Sequence, residues 1–290
     1  MSSSFNPRLI SNAALWSASL AISGCLLGGC NRVEPKPAIS KNEIKKLQDV
    51  QKRELKFEAR AKIENYRSQE EIIAQRLHEI KRGIHYKTLI SGPSENKQIA
   101  LTFDDGPHAD GTTAALLKVL KETKVKVTFF VVGQAVEQHP ELVMNEFKQG
   151  HLIANHTYQH VNLTNIPADE IAMQYRACSD IVYGVTHHRP KFCRPPGGQY
   201  DGAVIKAATH LDMTTALWTD NPEDYTNPGA DVIKRRVLEG ISNGGVILLH
   251  DGVKQTIEML PELIKELRAM GYTFVLVDQL KAANDKLGRE

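Results

Sequence analysis

The feature that most constrains this 290-residue chain is a pattern beginning near residue 97. From there, short runs rich in β-branched and aromatic residues alternate with longer amphipathic segments. Candidate strands are 98–103, 125–132, 152–155, 191–193, 213–218, 245–249 and 273–277. Helical patterns near 112–121, 139–149, 167–184, 201–209, 229–241 and 256–270 lie between them. Parallel strands need crossover connections, usually helices, so this alternation predicts an α/β fold on a parallel sheet. Seven strands in this span fall slightly short of a full eightfold barrel. A doubly wound sheet is the competing architecture, although no GxGxxG follows the first strand.

Polar clusters close five of these strands. Thr102-Phe103-Asp104-Asp105-Gly106-Pro107 ends the first, and Asn155-His156-Thr157-Tyr158-Gln159-His160 ends the third. Arg194-Pro195-Pro196-Gly197-Gly198-Gln199-Tyr200 ends the fourth, Asp220 to Tyr225 the fifth, and His250-Asp251-Gly252 the sixth. In parallel barrels the carboxyl ends of the strands are where catalytic groups converge. Taken alone, Asp104-Asp105-Gly106 reads as a turn. His156 and His160 are four apart, so on one helical turn their imidazoles share a face. A carboxylate with two histidines makes a competent divalent-metal set that leaves a position open. No HExxH is present, so a general base must come from elsewhere, and the neighbouring aspartate can supply it.

TFDDGP, HTYQH, RPPGG, the NPEDY stretch and LLHDG are similar, in order and spacing, to the five motifs of the NodB-type polysaccharide deacetylases, carbohydrate esterase family 4. The resemblance spans residues 97 to 280. It implies an irregular (β/α) barrel of about seven parallel strands and zinc-dependent hydrolysis of N-acetyl groups on sugars, another divalent transition metal being an alternative. Carried over by position, Asp104 is the general base, and Asp105, His156 and His160 are the metal ligands. Arg194 pairs with Asp104 and keeps it ionised. His250 is the general acid, oriented by Asp224, while Leu248 and Tyr225 line the pocket for the acetyl methyl. The Gly197 backbone N–H serves the oxyanion, and the metal polarises the amide carbonyl. Three departures stand out. Asn221 takes the first acidic position of the fourth motif, unless Asp220 substitutes by a one-residue slip. Tyr225 replaces a tryptophan, and Gly197 replaces the common aromatic of the third motif.

The first 90 residues differ in kind. Arg8 is the only charge before Arg32, and an apolar run from Leu9 to Leu27 follows it. A basic start, an apolar stretch and small residues describe an export signal. Residues 1–30 are therefore expected to be a lipoprotein-type signal peptide, with Cys30 or Cys25 the lipidated residue; an uncleaved membrane anchor and plain secretion are the alternatives. Each places the rest outside the cytoplasm, on a membrane facing the periplasm or cell exterior where a lipid anchor is used. Residues 31–90 read as a proline-containing linker and a helical stalk, leaving 91–290 as the deacetylase-like domain. Residues 41–82 hold 12 Lys or Arg and 8 Asp or Glu without Gly or Pro, which favours a long charged helix. Ile63, Tyr66, Ile73, Leu77, Ile80 and Ile84 mark its apolar seam. That seam suits a short coiled coil, a helix docked on the domain or a solvated spacer, and leaves the oligomeric state open.

The formal net charge of +2 gives no case for nucleic-acid binding. Cys178 and Cys193, outside the cytoplasm, are either a disulfide or buried thiols. His187-His188 reads as a solvated loop. The expected partner is an acetylated glycan polymer, with peptidoglycan favoured for N-deacetylation. An O-acetyl esterase acting on xylan-like glycans is the nearest alternative. A catalytically silent glycan-binding module of the cell envelope is the alternative from another class.

Overall fold

The computed structural model describes residues 66–288. The expected signal peptide, both candidate lipidation cysteines, the linker and the stalk up to residue 65 lie outside the described residues.

Eight strands form one wholly parallel sheet: β1 (Thr88–Leu89), β2 (Gln98–Asp104), β3 (Thr128–Val131), β4 (Leu152–Asn155), β5 (Phe192–Cys193), β6 (Thr214–Ala216), β7 (Val246–His250) and β8 (Thr273–Phe274). Their order is β1-β6-β5-β4-β3-β2-β7, with β8 paired to β2. The chain beyond β6 bonds both ends of this path. Leu217 N–H donates to Leu89 O at 2.8 Å, Thr219 N–H donates to Val246 O at 2.9 Å, and Asp220 bridges to Ile247. This is the irregular barrel expected. All seven anticipated strands are present, and β1 is added to them.

Nine α-helices lie among the described residues: α1 (Gln69–Lys81), α2 (Thr112–Thr123), α3 (Gly133–Gln138), α4 (Pro140–Lys148), α5 (Ala168–Thr186), α6 (Gly202–His210), α7 (Ala230–Gly240), α8 (Lys254–Ala269) and α9 (Val277–Lys286). Strand side chains alternate between two environments. Ile99, Leu101 and Phe103 of β2, with Ile247 and Leu249 of β7, pack into a cluster with Leu116 and Leu120 of α2 and Leu260 and Leu263 of α8. The other row, Ala100-Thr102-Asp104 on β2 and Val246-Leu248-His250 on β7, faces away from that cluster. Both rows end in a site residue, and Asp104 and His250 are register partners.

The stalk expectation needs correction where it can be seen. No helix runs through Tyr66–Ser68. The helix begins at Gln69, where Ser68 and Glu71 form a reciprocal capping box. It lies against the domain, with Ile72 fully buried, which is the docked helix among the three readings. The predicted seam is turned outward: Ile73, Leu77 and Ile80 are 39%, 61% and 45% exposed. Cys178 and Cys193 are both free thiols, each pushed up to about 12 by burial. No helix among the described residues is long and apolar enough to cross a membrane.

Candidate active site

Asp104 ends β2, and the chain turns immediately, with Asp105 in the left-handed region at φ 76°. Thr157 and His160 share that conformation at φ 70° and 53°. Non-glycine residues adopt it at a cost, and such strain concentrates at functional sites. Surrounding bonds hold it in place. Asn155 accepts the Thr157 N–H at 2.8 Å while its amide donates to Tyr175 O and Ser179 Oγ on α5. Thr157 Oγ1 accepts the His160 N–H at 3.0 Å. The two histidines therefore converge by a loop after β4, not on the helical turn expected, with ring centroids 4.9 Å apart.

Asp105, His156 and His160 offer ligand atoms that all lie within 4.8 Å of one another. Asp105 Oδ1 is 3.0 Å from His160 Nε2 and 3.4 Å from His156 Nε2, yet none of these three buried atoms has a hydrogen-bond partner among the described residues. Orphaned polar atoms in such a place need an explanation, and a shared cation supplies one. His156 Nδ1 lies 2.8 Å from the Arg194 carbonyl, which can only accept, so Nδ1 carries the proton and Nε2 keeps its lone pair for a metal. Burial alone would raise the Asp105 carboxyl, but His156 and His160 outweigh it and hold the group well below its ordinary range. The donor set fits a divalent transition metal.

Arg194 is completely buried and organises the other half of the site. Its Nη1 donates to Asp104 Oδ1 at 2.7 Å and to Thr102 Oγ1 at 2.8 Å, while Nε and Nη2 reach Ala216 O and Leu217 O. The guanidinium carbon Cζ lies 4.0 Å from the Phe130 ring centroid, and the ring covers that side of the cation. Asp104 Oδ2, opposite the arginine, is 3.6 Å from His156 Nε2. One carboxylate oxygen is thus anchored and the other faces the ligand cluster.

Across the site, Asp224 is fully buried and uses both oxygens. Oδ1 pairs with His250 Nδ1 at 2.7 Å, and Oδ2 accepts the His250 N–H at 2.9 Å and Thr256 Oγ1 at 2.7 Å. Burial pulls the imidazole pKa down, but Asp224, with Asp105 and Asp104 beyond it, overrides this and raises it to about 9. His250 is therefore a cation at neutral pH, and its Nε2 has no partner among the described residues.

Leu248 is buried on β7 beside Thr102. Gly197 lies in the 194–200 loop with φ 62°, and Tyr225 sits in the short turn Asp224–Thr226 with its ring 5.3 Å from that of His250. The one-residue slip does not occur. Asp220 lies so close to Gly240 at the end of α7 that a Cβ there would meet its Oδ1 at 2.7 Å. Asn221 accepts the Glu223 N–H at 3.0 Å. His187 and His188 are exposed and belong to no metal-capable group among the described residues. Two residues near the site were not anticipated there, Tyr66 and Thr256, while Thr102 and Asn155 stood in the strand-end clusters without a role. Thr256 is an ordinary polar side chain whose spacing carries no signal. Tyr66 was assigned to the stalk seam.

A family model described as polysaccharide deacetylase matches residues 91–216. A peptidoglycan-N-acetylglucosamine deacetylase of Bacillus cereus is 37% identical over 199 residues, covering 65% of this chain and 90% of that protein. The chain belongs to the polysaccharide deacetylase family. The peptidoglycan-N-acetylglucosamine deacetylase PgdA of Listeria monocytogenes is 34% identical over 195 residues, which are 67% of this chain but 41% of the Listeria protein. Among solved structures, the Bc1960 peptidoglycan N-acetylglucosamine deacetylase superposes with a TM-score of 0.66 at 32% identity, covering 70% of this chain and 95% of that one.

Proposed function

We propose that this chain is a metal-dependent hydrolase that removes N-acetyl groups from N-acetylglucosamine units of a polysaccharide, peptidoglycan being the favoured polymer, and releases acetate. One observation carries the reading. Three orphaned ligand atoms within 4.8 Å of one another are flanked by an arginine-anchored carboxylate and by a carboxylate-held imidazolium. The names of the relatives support the choice of polymer.

Asp105, His156 and His160 would hold the metal, with zinc the favoured ion. When bound, it supplies Lewis acidity toward the amide carbonyl. Asp104, with Oδ1 fixed by Arg194, turns Oδ2 toward the attacking water and takes its proton. The Gly197 N–H donates to the developing oxyanion, a contribution of about 3–4 kcal/mol for such a donor. His250 releases its Nε2 proton to the departing sugar nitrogen, and Asp224 stabilises it as a cation until then. This last step matters for an amide, because an unprotonated amine is a poor leaving group. Tyr225 and Leu248 line the acetyl pocket.

The basic, then apolar, amino terminus supports export and lipid anchoring at Cys30 or Cys25, with the domain facing the periplasm or cell exterior. The test of function is acetate release by the full-length protein from peptidoglycan and chitooligosaccharides, after chelation and again with zinc restored. Zinc-restored release is expected. Release from acetylxylan alone would replace this reading with the esterase, and no release from any acetylated glycan would remove it.

A further inference from the structure

The loop 194–200 lines the site but presents no side chain at Gly197. Beside that glycine stands a residue from the far end of the described chain. Arg67 N–H donates to Gly197 O at 3.0 Å, which brings Tyr66 over the site. The Tyr66 ring stacks on Tyr225 at 4.4 Å with an interplanar angle of 25°, and meets His250 edge-on at 5.4 Å. Tyr225 and His250 contact each other as well, so three rings enclose one side of the imidazole.

We infer that Tyr66 is a substrate-contacting residue, an aromatic wall supplied by the segment before α1 in place of the side chain that Gly197 lacks. The inference rests on the deacetylase reading. A sugar whose departing nitrogen lies at His250 Nε2 brings its ring within reach of Tyr66. The apolar C–H face of a pyranose packs on an aromatic face, whereas its hydroxyls do not.

The anchoring separates a wall from a strap built to come away. Arg67 Nη2 donates to Glu71 O at 2.8 Å, and its guanidinium lies 5.8 Å from the ring centroid of Tyr200, in the same loop as Gly197. Gln75 donates to Tyr200 O, and the Tyr200 hydroxyl reaches Glu79. With Ser68 capping α1 and Ile72 buried, the backbone that follows the tyrosine is held against the domain.

The experiment compares full-length Tyr66→Ala, Tyr66→Leu and Tyr66→Phe with the parent on chitooligosaccharides, with melting temperature and zinc content as controls. Removing a stacking face is expected to raise KM about 5–10-fold with kcat within about twofold. Leucine keeps bulk without an aromatic face and should behave like alanine, while phenylalanine should match the parent. Calorimetric binding of the same oligosaccharides to Asp104→Asn, with and without Tyr66→Ala, should show the same weakening. Unchanged KM and binding in a folded Tyr66→Leu chain would overturn the wall, and so would a higher kcat/KM, which marks an obstruction. A parent that binds but does not release acetate breaks the deacetylase reading and leaves the wall to be judged by binding. A parent that does neither overturns both.

Discussion

At the scale of single residues, the site depends on giving each charged group one committed partner and one free atom. Asp104 has Oδ1 on Arg194 and Oδ2 toward the ligand cluster. His250 has Nδ1 on Asp224 and an unpartnered Nε2. Asp104→Asn keeps the shape and removes the proton acceptor. Acetate release should then fall by about 10²–10⁴-fold in kcat with zinc content unchanged, as the loss of a general base requires. The acid makes a separate prediction for pH. As the proposed acid, His250 has to be protonated, and its pKa is raised to about 9, so kcat should decline as pH rises through that value. Asp224→Asn removes the carboxylate that raises it. The alkaline limb of the kcat–pH profile should therefore move to lower pH, and a limb that stays in place would detach Asp224 from that role.

At the scale of elements, periodicity identified every described strand but β1 and every helix of the barrel but α3 and α9, and it assigned α1 the wrong face. Ile73, Leu77 and Ile80 follow helical spacing and are nevertheless exposed, while Ile72, Arg76 and Glu79 are buried. Arg76 and Glu79 face each other at 3.8 Å, and Glu79 also receives Gln75 and Tyr200. The buried face is polar because the loop it meets is polar, and an apolar pattern cannot register that. Ile72→Ala should cost about 2–4 kcal/mol in urea unfolding, whereas Leu77→Ala should change stability by less than about 0.5 kcal/mol. Equal costs would restore the predicted seam. β1 escaped notice for a related reason: its two residues are too few to show alternation and are a strand only because β6 pairs with them.

At the scale of the whole molecule, the sheet collects residues that are distant along the chain. The candidate ligands come from the ends of β2 and β4, Arg194 from the end of β5, and His250 from β7 with its partner Asp224 beyond β6. A metal that binds only the assembled set stabilises the assembled chain. Zinc at about 100 times its Kd should add about 2.7 kcal/mol, or roughly 5–10 °C in thermal midpoint, and His156→Ala should abolish that gain. A midpoint that ignores zinc would argue against Asp105, His156 and His160 as a site.

The chemistry was legible in the sequence because proton transfer and metal ligation demand particular side chains, and strand ends place them in short, recognisable clusters. Five clusters in order carried a family resemblance, and that resemblance implied the barrel and proposed the ligand triad, the base and the acid without any coordinates. Tertiary structure alone decided that the two histidines meet through a strained loop, that Asp220 turns toward α7, and that Thr256 and Asn155 steady the site. It also decided that Tyr66 stands over His250. Its contacts, Tyr225 and the Gly197 loop, are far from it along the chain, and spacing within a segment holds no information about a surface that another segment brings to it.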